Sequence, residues 1–244
     1  MQLFYTPDIE CTVGSKCLLN EDESHHCIRV LRLFEGDIVH LTNGKGTVLK
    51  ASILKVAQKE CLLQIEERFD HWEERPYYLH LAVAPTKNPD RYEWMVEKVT
   101  EIGVDEITPL IAVQSERKVF KTTRIERIAI SAMKQSYKAK LPVIQPAKSF
   151  AELINTSFDG VKLIAHCGEG VRVSLTDVLN KQLSDSHKYT ILIGPEGDFS
   201  PEEVAMAEAK GFRSIHLGAS RLRTETAGVI AAAGVYLFAN HRTI

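Results

Sequence analysis

No stretch of the 244-residue chain holds an apolar run of membrane-spanning length, so a membrane helix is not expected. The opening Met1-Gln2-Leu3-Phe4-Tyr5 lacks the basic start of a secretory signal. Cysteine is sparse and odd in number: Cys11, Cys17, Cys27, Cys61 and Cys167, with no paired C-x-x-C. That pattern indicates neither a disulfide framework nor a zinc ribbon. Together these absences predict a cytoplasmic protein in a reducing compartment, with no membrane and no metal. No G-x-G-x-x-G follows the first α/β strand, which argues against a dinucleotide-dependent dehydrogenase. Net charge is also small, −2 from 30 basic and 32 acidic residues. A total near zero argues against nucleic acid, but its distribution does not. Between Ser115 and Lys148 nine basic residues face only Glu116 and Glu126, an excess of seven positive charges. Such blocks are usually solvated faces; so strong an asymmetry suggests a phosphate-facing patch.

What the sequence does have is a repeated strand–glycine–helix pattern near its end. Residues 189–193 form an apolar, β-rich run that stops at Gly194-Pro195-Glu196-Gly197. Ser200-Pro201-Glu202-Glu203 then offers a capping serine, a proline for the first helical position and a glutamate to close a capping box. Gly211 ends that helix, residues 214–217 form another strand, and Gly218 breaks it. After Ala219-Ser220-Arg221-Leu222-Arg223, Thr224 or Thr226 can cap a last helix running towards Phe238. Residues 161–166 supply a third strand, followed by Cys167-Gly168-Glu169-Gly170. In a parallel sheet the loops leaving neighbouring carboxyl ends converge where ligands bind, so three glycine loops are expected to line one pocket. Any one of them alone is an ordinary turn.

Residues 1–72 read as a small β-rich unit. Asn43-Gly44 between two apolar runs signals a hairpin; Gly44-Lys45-Gly46-Thr47 has neither the spacing nor the following helix of a phosphate loop. Residues 24–32 suggest a short helix after the acidic Glu21-Asp22-Glu23. His25, His26 and Cys27 point in different directions on such a helix, so they make a poor metal site. Arg29 and Arg32, three apart, can share a face and contact phosphate, or be two solvated arginines. The break at His71-Trp72-Glu73-Glu74-Arg75-Pro76 divides the chain into residues 1–72 and 73–244. Beyond it, residues 78–84 form a strand, Asn88 caps and Pro89 opens a helix stopped by Gly103, and residues 106–111 form a second strand. A helix with Ile125, Ile128, Ala129, Ala132 and Met133 on its apolar face follows. This alternation predicts a mainly parallel α/β sheet flanked by helices.

Gly194-Pro195-Glu196-Gly197 and Leu217-Gly218, followed by Leu222-Arg223-Thr224-Glu225-Thr226-Ala227, resemble the paired signature loops of the RsmE family. These are S-adenosylmethionine-dependent ribosomal RNA uridine-N3 methyltransferases of the SPOUT superfamily. The resemblance extends to His26–Arg32, similar to the family's PUA-like RNA-binding barrel, and so covers nearly the whole chain. It implies a PUA-like barrel over residues 1–72 and a SPOUT domain with a trefoil knot over 73–244. Two departures stand out: Asp198 occupies the place of a common second glycine, and Ser220-Arg221 that of an Arg-Ile pair, with Arg221 as the candidate to supply the displaced guanidinium.

The resemblance also implies roles. Cofactor contacts would come from His166, Cys167, Gly194, Glu196, Gly197, Gly218, Ala219 and Thr224, with Ile193, Leu217 and Leu222 sandwiching the adenine or serving simply as strand ends and core. Arg223, helped by Arg221, would stabilise the charge that develops on uridine as its N3 proton leaves. Glu225 would hold Arg223, accept the proton, or simply favour a helix N-terminus. RNA would be held by Arg29, Arg32, Lys87, Arg91, Arg117, Lys134, Gln135 and Lys138. A homodimer through the C-terminal domain, acting on RNA of the small ribosomal subunit, completes the expectation. A SPOUT ribose 2′-O methyltransferase and a non-catalytic RNA-binding assembly factor are the alternatives.

Overall fold

The chain opens with strands β1 (Leu3–Tyr5) and β2 (Lys16–Leu18), the short helix α1 (Glu21–His25), and strands β3 (Ile38–Thr42), β4 (Val48–Val56) and β5 (Cys61–Phe69). They form one sheet in the order β1-β3-β4-β5-β2, parallel only at β1–β3. The computed structural model describes residues 2–57, 60–181 and 188–240. Asn43-Gly44 does make the β3–β4 hairpin: Asn43 Oδ1 accepts from the Lys45 amide at 2.8 Å, and Gly44 has a φ of 73°. Inward residues of the alternating strands, among them Phe4, Leu41, Leu49, Ile53, Leu63 and Ile65, build a closed apolar core.

The helix expected at residues 24–32 begins earlier. Asn20 caps it by accepting from the Glu23 amide at 2.8 Å, so Glu21-Asp22-Glu23 occupy its first turn, where the helix dipole favours acids. It then widens into a π-helical turn, His26–Val30, and Arg32 stands beyond it with a φ of 56°. The three-residue spacing therefore does not put Arg29 and Arg32 on one α-helical face.

The second set of elements comprises β6 (Tyr78–Val83), α2 (Pro89–Ile102), β7 (Glu106–Ile111), α3 (Thr123–Gln135), β8 (Val143–Ile144), β9 (Lys148–Ser149) and α4 (Phe150–Ile154). It continues with β10 (Val161–Ala165), β11 (Val173–Ser174), α5 (Leu175–Lys181), β12 (Lys188–Ile193), α6 (Pro201–Ala209), β13 (Arg213–His216) and α7 (Thr224–Asn240). The sheet order is β11-β13-β10-β12-β6-β7-β8, with β9 also on β7, and every described pairing is parallel. β13 thus lies between β10 and β11, which are consecutive in the chain, and the 166–172 connection has to span the later strand. Helices cover both faces. α7 packs with α2, α5, β6 and β12. On the other face α4 and α6 bury Phe150, Leu153 and Ala207 against Ala82, Leu110, Ile164 and Leu192. The expected α/β architecture, a mainly parallel sheet flanked by helices with a β-rich N-terminal unit, is the one observed.

The helix ends follow from local chemistry. Asn88 caps α2 with Pro89 in its first turn, and Gly103 ends it at a φ of 117°. Ser200 and Glu203 close a reciprocal capping box on α6, and a cap of this kind is worth about 1 kcal/mol. The chain divides into two compact units, Met1–Glu74 with Ile130–Leu141, and Arg75–Ala129 with Pro142–Ile244. The returning segment is tied into the first unit by Thr42 Oγ1, which donates to the Ala139 carbonyl, and by the Trp72 indole, which donates to that of Tyr137.

Candidate functional site

Register aligns the ends of three neighbouring strands. Ala165, the last residue of β10, stands opposite Ile193 of β12 on one side and Ile215 of β13 on the other. The loops leaving these strands enclose a cavity of about 810 Å³. Its wall gathers most of the sequence candidates: His166, Cys167, Ile193, Gly194, Glu196, Leu217, Gly218, Ala219, Leu222 and Thr224, with Arg221 and Arg223. It also includes residues that no motif marks for binding, Arg172 and Asp198 above all. Arg172 lies just past the first glycine loop, the one signal that sequence offers for it.

Hydrogen bonds lock the three loops together. Asp198 Oδ2 accepts from the Cys167 amide at 2.7 Å, joining the loop after β12 to the loop after β10. Thr224 Oγ1 donates to the Gly194 carbonyl at 3.0 Å, joining it to the start of α7. Thr224 is therefore a helical residue that ties two loops, not the cap of the last helix. Glu196 lines the cavity, and its Oε1 accepts from the Lys87 amide at 3.0 Å, bringing in the loop after β6. Glu203 does the same for the loop after β7, accepting from the Val113 amide at 2.9 Å.

Two glycines illustrate different requirements. Gly218 has a φ of 126° with open space where a Cβ would stand, so its constraint is conformational. Gly197 does not line the cavity: a Cβ there would sit 3.1 Å from Gln114, so its smallness serves packing against the neighbouring loop. Asp198, in the place of the family's second glycine, has a φ of 67°, a conformation that aspartate tolerates better than most residues.

Polar groups inside the cavity are unevenly engaged. His166 is buried, and neither of its ring nitrogens has a partner among the described residues. Burial chiefly holds its imidazole below the ordinary range; Asp198 pulls upward and Arg172 pushes downward. The ring is thus neutral near pH 7. Arg223 and Arg221 are both exposed at the wall, and neither guanidinium meets an acidic partner among the described residues. Glu225 does not hold Arg223. It is buried below the cavity wall and its ion pair, at 3.8 Å, is with Arg91.

The candidates for RNA contact are not gathered into one free patch. Lys87 pairs with Glu116 at 3.0 Å, and Arg117 donates to the Lys87 carbonyl at 3.5 Å. In the first unit Lys134 is sequestered: it binds both carboxylate oxygens of buried Glu23, at 2.6 and 2.8 Å, and lies over the Phe4 ring. Lys138 pairs with Glu73 at 3.0 Å, and Arg124 of the other unit pairs with Glu93. Three of the nine basic residues between Ser115 and Lys148, namely Arg124, Lys134 and Lys138, are therefore matched by acids distant in sequence. Gln135, Arg29 and Arg32 remain exposed. Among the described residues no cluster of His, Cys, Asp or Glu suits a metal ion, and no helix is long and apolar enough to cross a membrane.

Comparison with known proteins places this geometry. Residues 73–235 match the RNA methyltransferase domain, and residues 19–66 match the RNA methyltransferase PUA domain. The ribosomal RNA small subunit methyltransferase E of Buchnera aphidicola subsp. Acyrthosiphon pisum is 33% identical over 87% of this chain and 84% of its own length. A crystal structure of a probable rRNA methyltransferase from Porphyromonas gingivalis is 41% identical, covers 99% of each chain and superposes with a TM-score of 0.88. The ribosomal RNA small subunit methyltransferase E of Neisseria gonorrhoeae, solved bound to S-adenosyl methionine, is 26% identical over 97% of each chain, with a TM-score of 0.86. Matched along both of its units, the chain belongs to the RNA methyltransferase family, in the group of the ribosomal RNA small subunit methyltransferase E proteins.

Proposed function

We propose that this protein transfers a methyl group from S-adenosylmethionine to N3 of a uridine in small-subunit ribosomal RNA. The observation that carries the reading is the cavity shared by three strand-end loops, with Arg221 and Arg223 at its wall meeting no acidic partner among the described residues. The residues present fit the cofactor. Ile193, Leu217 and Leu222 offer apolar surface for a flat base, and the nitrogens of buried His166, without a partner among the described residues, have hydrogen-bonding capacity for a polar ligand. Gly218 lets main chain approach closely.

When bound, S-adenosylmethionine supplies a methyl group on a positive sulfonium. The chain's part is to position the reacting groups and to stabilise the charge that appears on the acceptor. N3 of uridine becomes nucleophilic only as its proton passes to water, and negative charge then spreads to the flanking carbonyl oxygens. Arg223, with Arg221 on the same loop, supplies guanidinium donors for that charge. Because N3 lies on the pairing edge, the target uridine must be unpaired or extruded. Lys87, Arg91 and Arg117 in this unit, and Arg29, Arg32 and Gln135 in the N-terminal unit, are the proposed RNA contacts.

The same reading includes a homodimer. α7 leaves Ile230 and Leu237 42% and 65% exposed, and α2, packed beside it, leaves Trp94 44% exposed. Ala231 and Ala232 of that helix are buried within the fold, so only its outer stripe serves a partner. Base-resolved mass analysis of ribosomal RNA from cells with and without the protein tests the proposal. A methyl group lost from a uridine base supports it. Loss from a ribose would assign a 2′-O methyltransferase, and no loss would leave a binding factor.

A further inference from the structure

Two side chains of opposite charge are held beside His166, and neither takes part in the chemistry described above. Arg172 lines the cavity and donates from Nη1 to the His166 carbonyl at 2.7 Å. That bond fixes the guanidinium against the wall while its other N–H donors meet no acceptor among the described residues. Asp198 comes from the neighbouring loop, on the other side of the β10–β12 pair. Its Oδ2 accepts from the Cys167 amide at 2.7 Å and its Oδ1 from the Phe199 amide at 2.8 Å. These bonds set the carboxylate in one orientation, and each oxygen keeps a lone pair for a further donor. Both charges are felt at the His166 ring, in opposite senses. The cavity's other carboxylate, on Glu196, is engaged by the Lys87 amide, and its other guanidiniums come from the loop after β13.

A fixed cation and a fixed anion around one buried ring, both on the wall of one cavity, complement a zwitterion. We propose that Arg172 and Asp198 form the subsite for the amino-acid end of the cofactor, the guanidinium binding the α-carboxylate and the Asp198 carboxylate binding the α-ammonium. The proposal rests on the reading of the cavity as an S-adenosylmethionine site and adds the residues that select for the intact cofactor over its nucleoside portion. Preorganisation explains why two residues suffice: main-chain bonds already set both groups, so little side-chain freedom is lost on binding. It also gives Asp198 a purpose beyond its backbone conformation, which glycine would adopt at least as well.

Calorimetry on the full chain with two ligands tests this. S-adenosylhomocysteine carries the amino-acid end; 5′-methylthioadenosine has the same nucleoside and sulfur without it. Arg172→Ala is expected to weaken S-adenosylhomocysteine about tenfold to a hundredfold, the scale of a lost charge-assisted hydrogen bond, with methylthioadenosine unchanged within about twofold. Arg172→Lys should restore part of the loss. Asp198→Asn, which keeps the left-handed backbone accessible, should likewise weaken only the ligand with the ammonium group. Equal weakening of both ligands by Arg172→Ala would overturn the proposal and make the arginine a brace for the 166–172 loop; no weakening of either would overturn it as well. A wild-type chain that binds neither ligand would bring down the cofactor reading itself, a result distinct from the other two.

Discussion

Removing the Arg223 guanidinium separates a catalytic role from a structural one. The side chain is exposed at the cavity wall with no acidic partner among the described residues, and Glu225 is engaged by Arg91. Exposed, unpaired side chains contribute little to stability, so Arg223→Ala should unfold within about 0.5 kcal/mol of the wild type. Cofactor affinity should also hold, because a positive sulfonium gains nothing from a nearby guanidinium. Turnover should fall by about 10²- to 10³-fold, or about 2.7–4 kcal/mol, the scale of losing one preorganised donor to developing negative charge. Arg223→Lys should recover only part of this, since an ammonium lacks the planar fork. Glu225→Gln should not reproduce the defect, because its contact is with another arginine. Single-turnover methyl transfer to RNA at saturating cofactor, with cofactor affinity measured alongside, makes the test. A normal rate in Arg223→Ala, or a joint loss of affinity and rate, would refute the reasoning.

Other perturbations follow from individual contacts. Gly218→Ala meets no steric obstacle but must adopt a φ of 126°, so it should cost about 1–2 kcal/mol and weaken cofactor binding; unchanged affinity by calorimetry would show that the loop shifts freely. Lys134→Ala strips buried Glu23 of its cation and should cost about 3 kcal/mol in urea unfolding, the low end for breaking a buried pair, since Lys134 is 20% exposed. The salt slope of RNA binding should stay as it was; a fall of about one would restore this lysine as a phosphate contact. His80 is buried, bonded to Thr108 at 2.8 Å, and held down to about 4 chiefly by burial, against the pull of Glu106 and with a smaller push from Lys148. Its neutral form belongs to the folded state, so its contribution, about 3 kcal/mol, is complete above about pH 6.5 and is lost as pH falls towards 4. His80→Gln should flatten the pH dependence of unfolding in that window, and an unchanged slope would rule the residue out as its source.

Local chemistry makes much of this protein legible in its residue order. Asn88-Pro89, Gly103 and the Ser200–Glu203 box set helix ends because caps and proline act over three or four residues. Asn43-Gly44 sets a hairpin, and the strand–glycine–helix alternation sets a parallel sheet, for the same reason. The two signature loops also point to one cavity, since parallel strands release their loops at a common edge. Contacts between distant segments are not legible, because no short-range preference encodes them. Glu225 finds Arg91 instead of Arg223, and Lys134 and Lys138 find Glu23 and Glu73, which takes two of the nine basic residues between Ser115 and Lys148 out of the apparent patch. Thr224 reads as a cap from its neighbours but is claimed by the Gly194 carbonyl thirty residues away. Arg172 carries no pattern of its own, and Asp198 is marked only as a departure from the signature loop; the pairing of β10 with β12 brings their charges to His166. Residue order thus dictates where elements begin, end and turn. Packing in three dimensions selects which charges are paired and which stay free for a ligand, because Coulomb and hydrogen-bond partners are chosen in space and not along the chain.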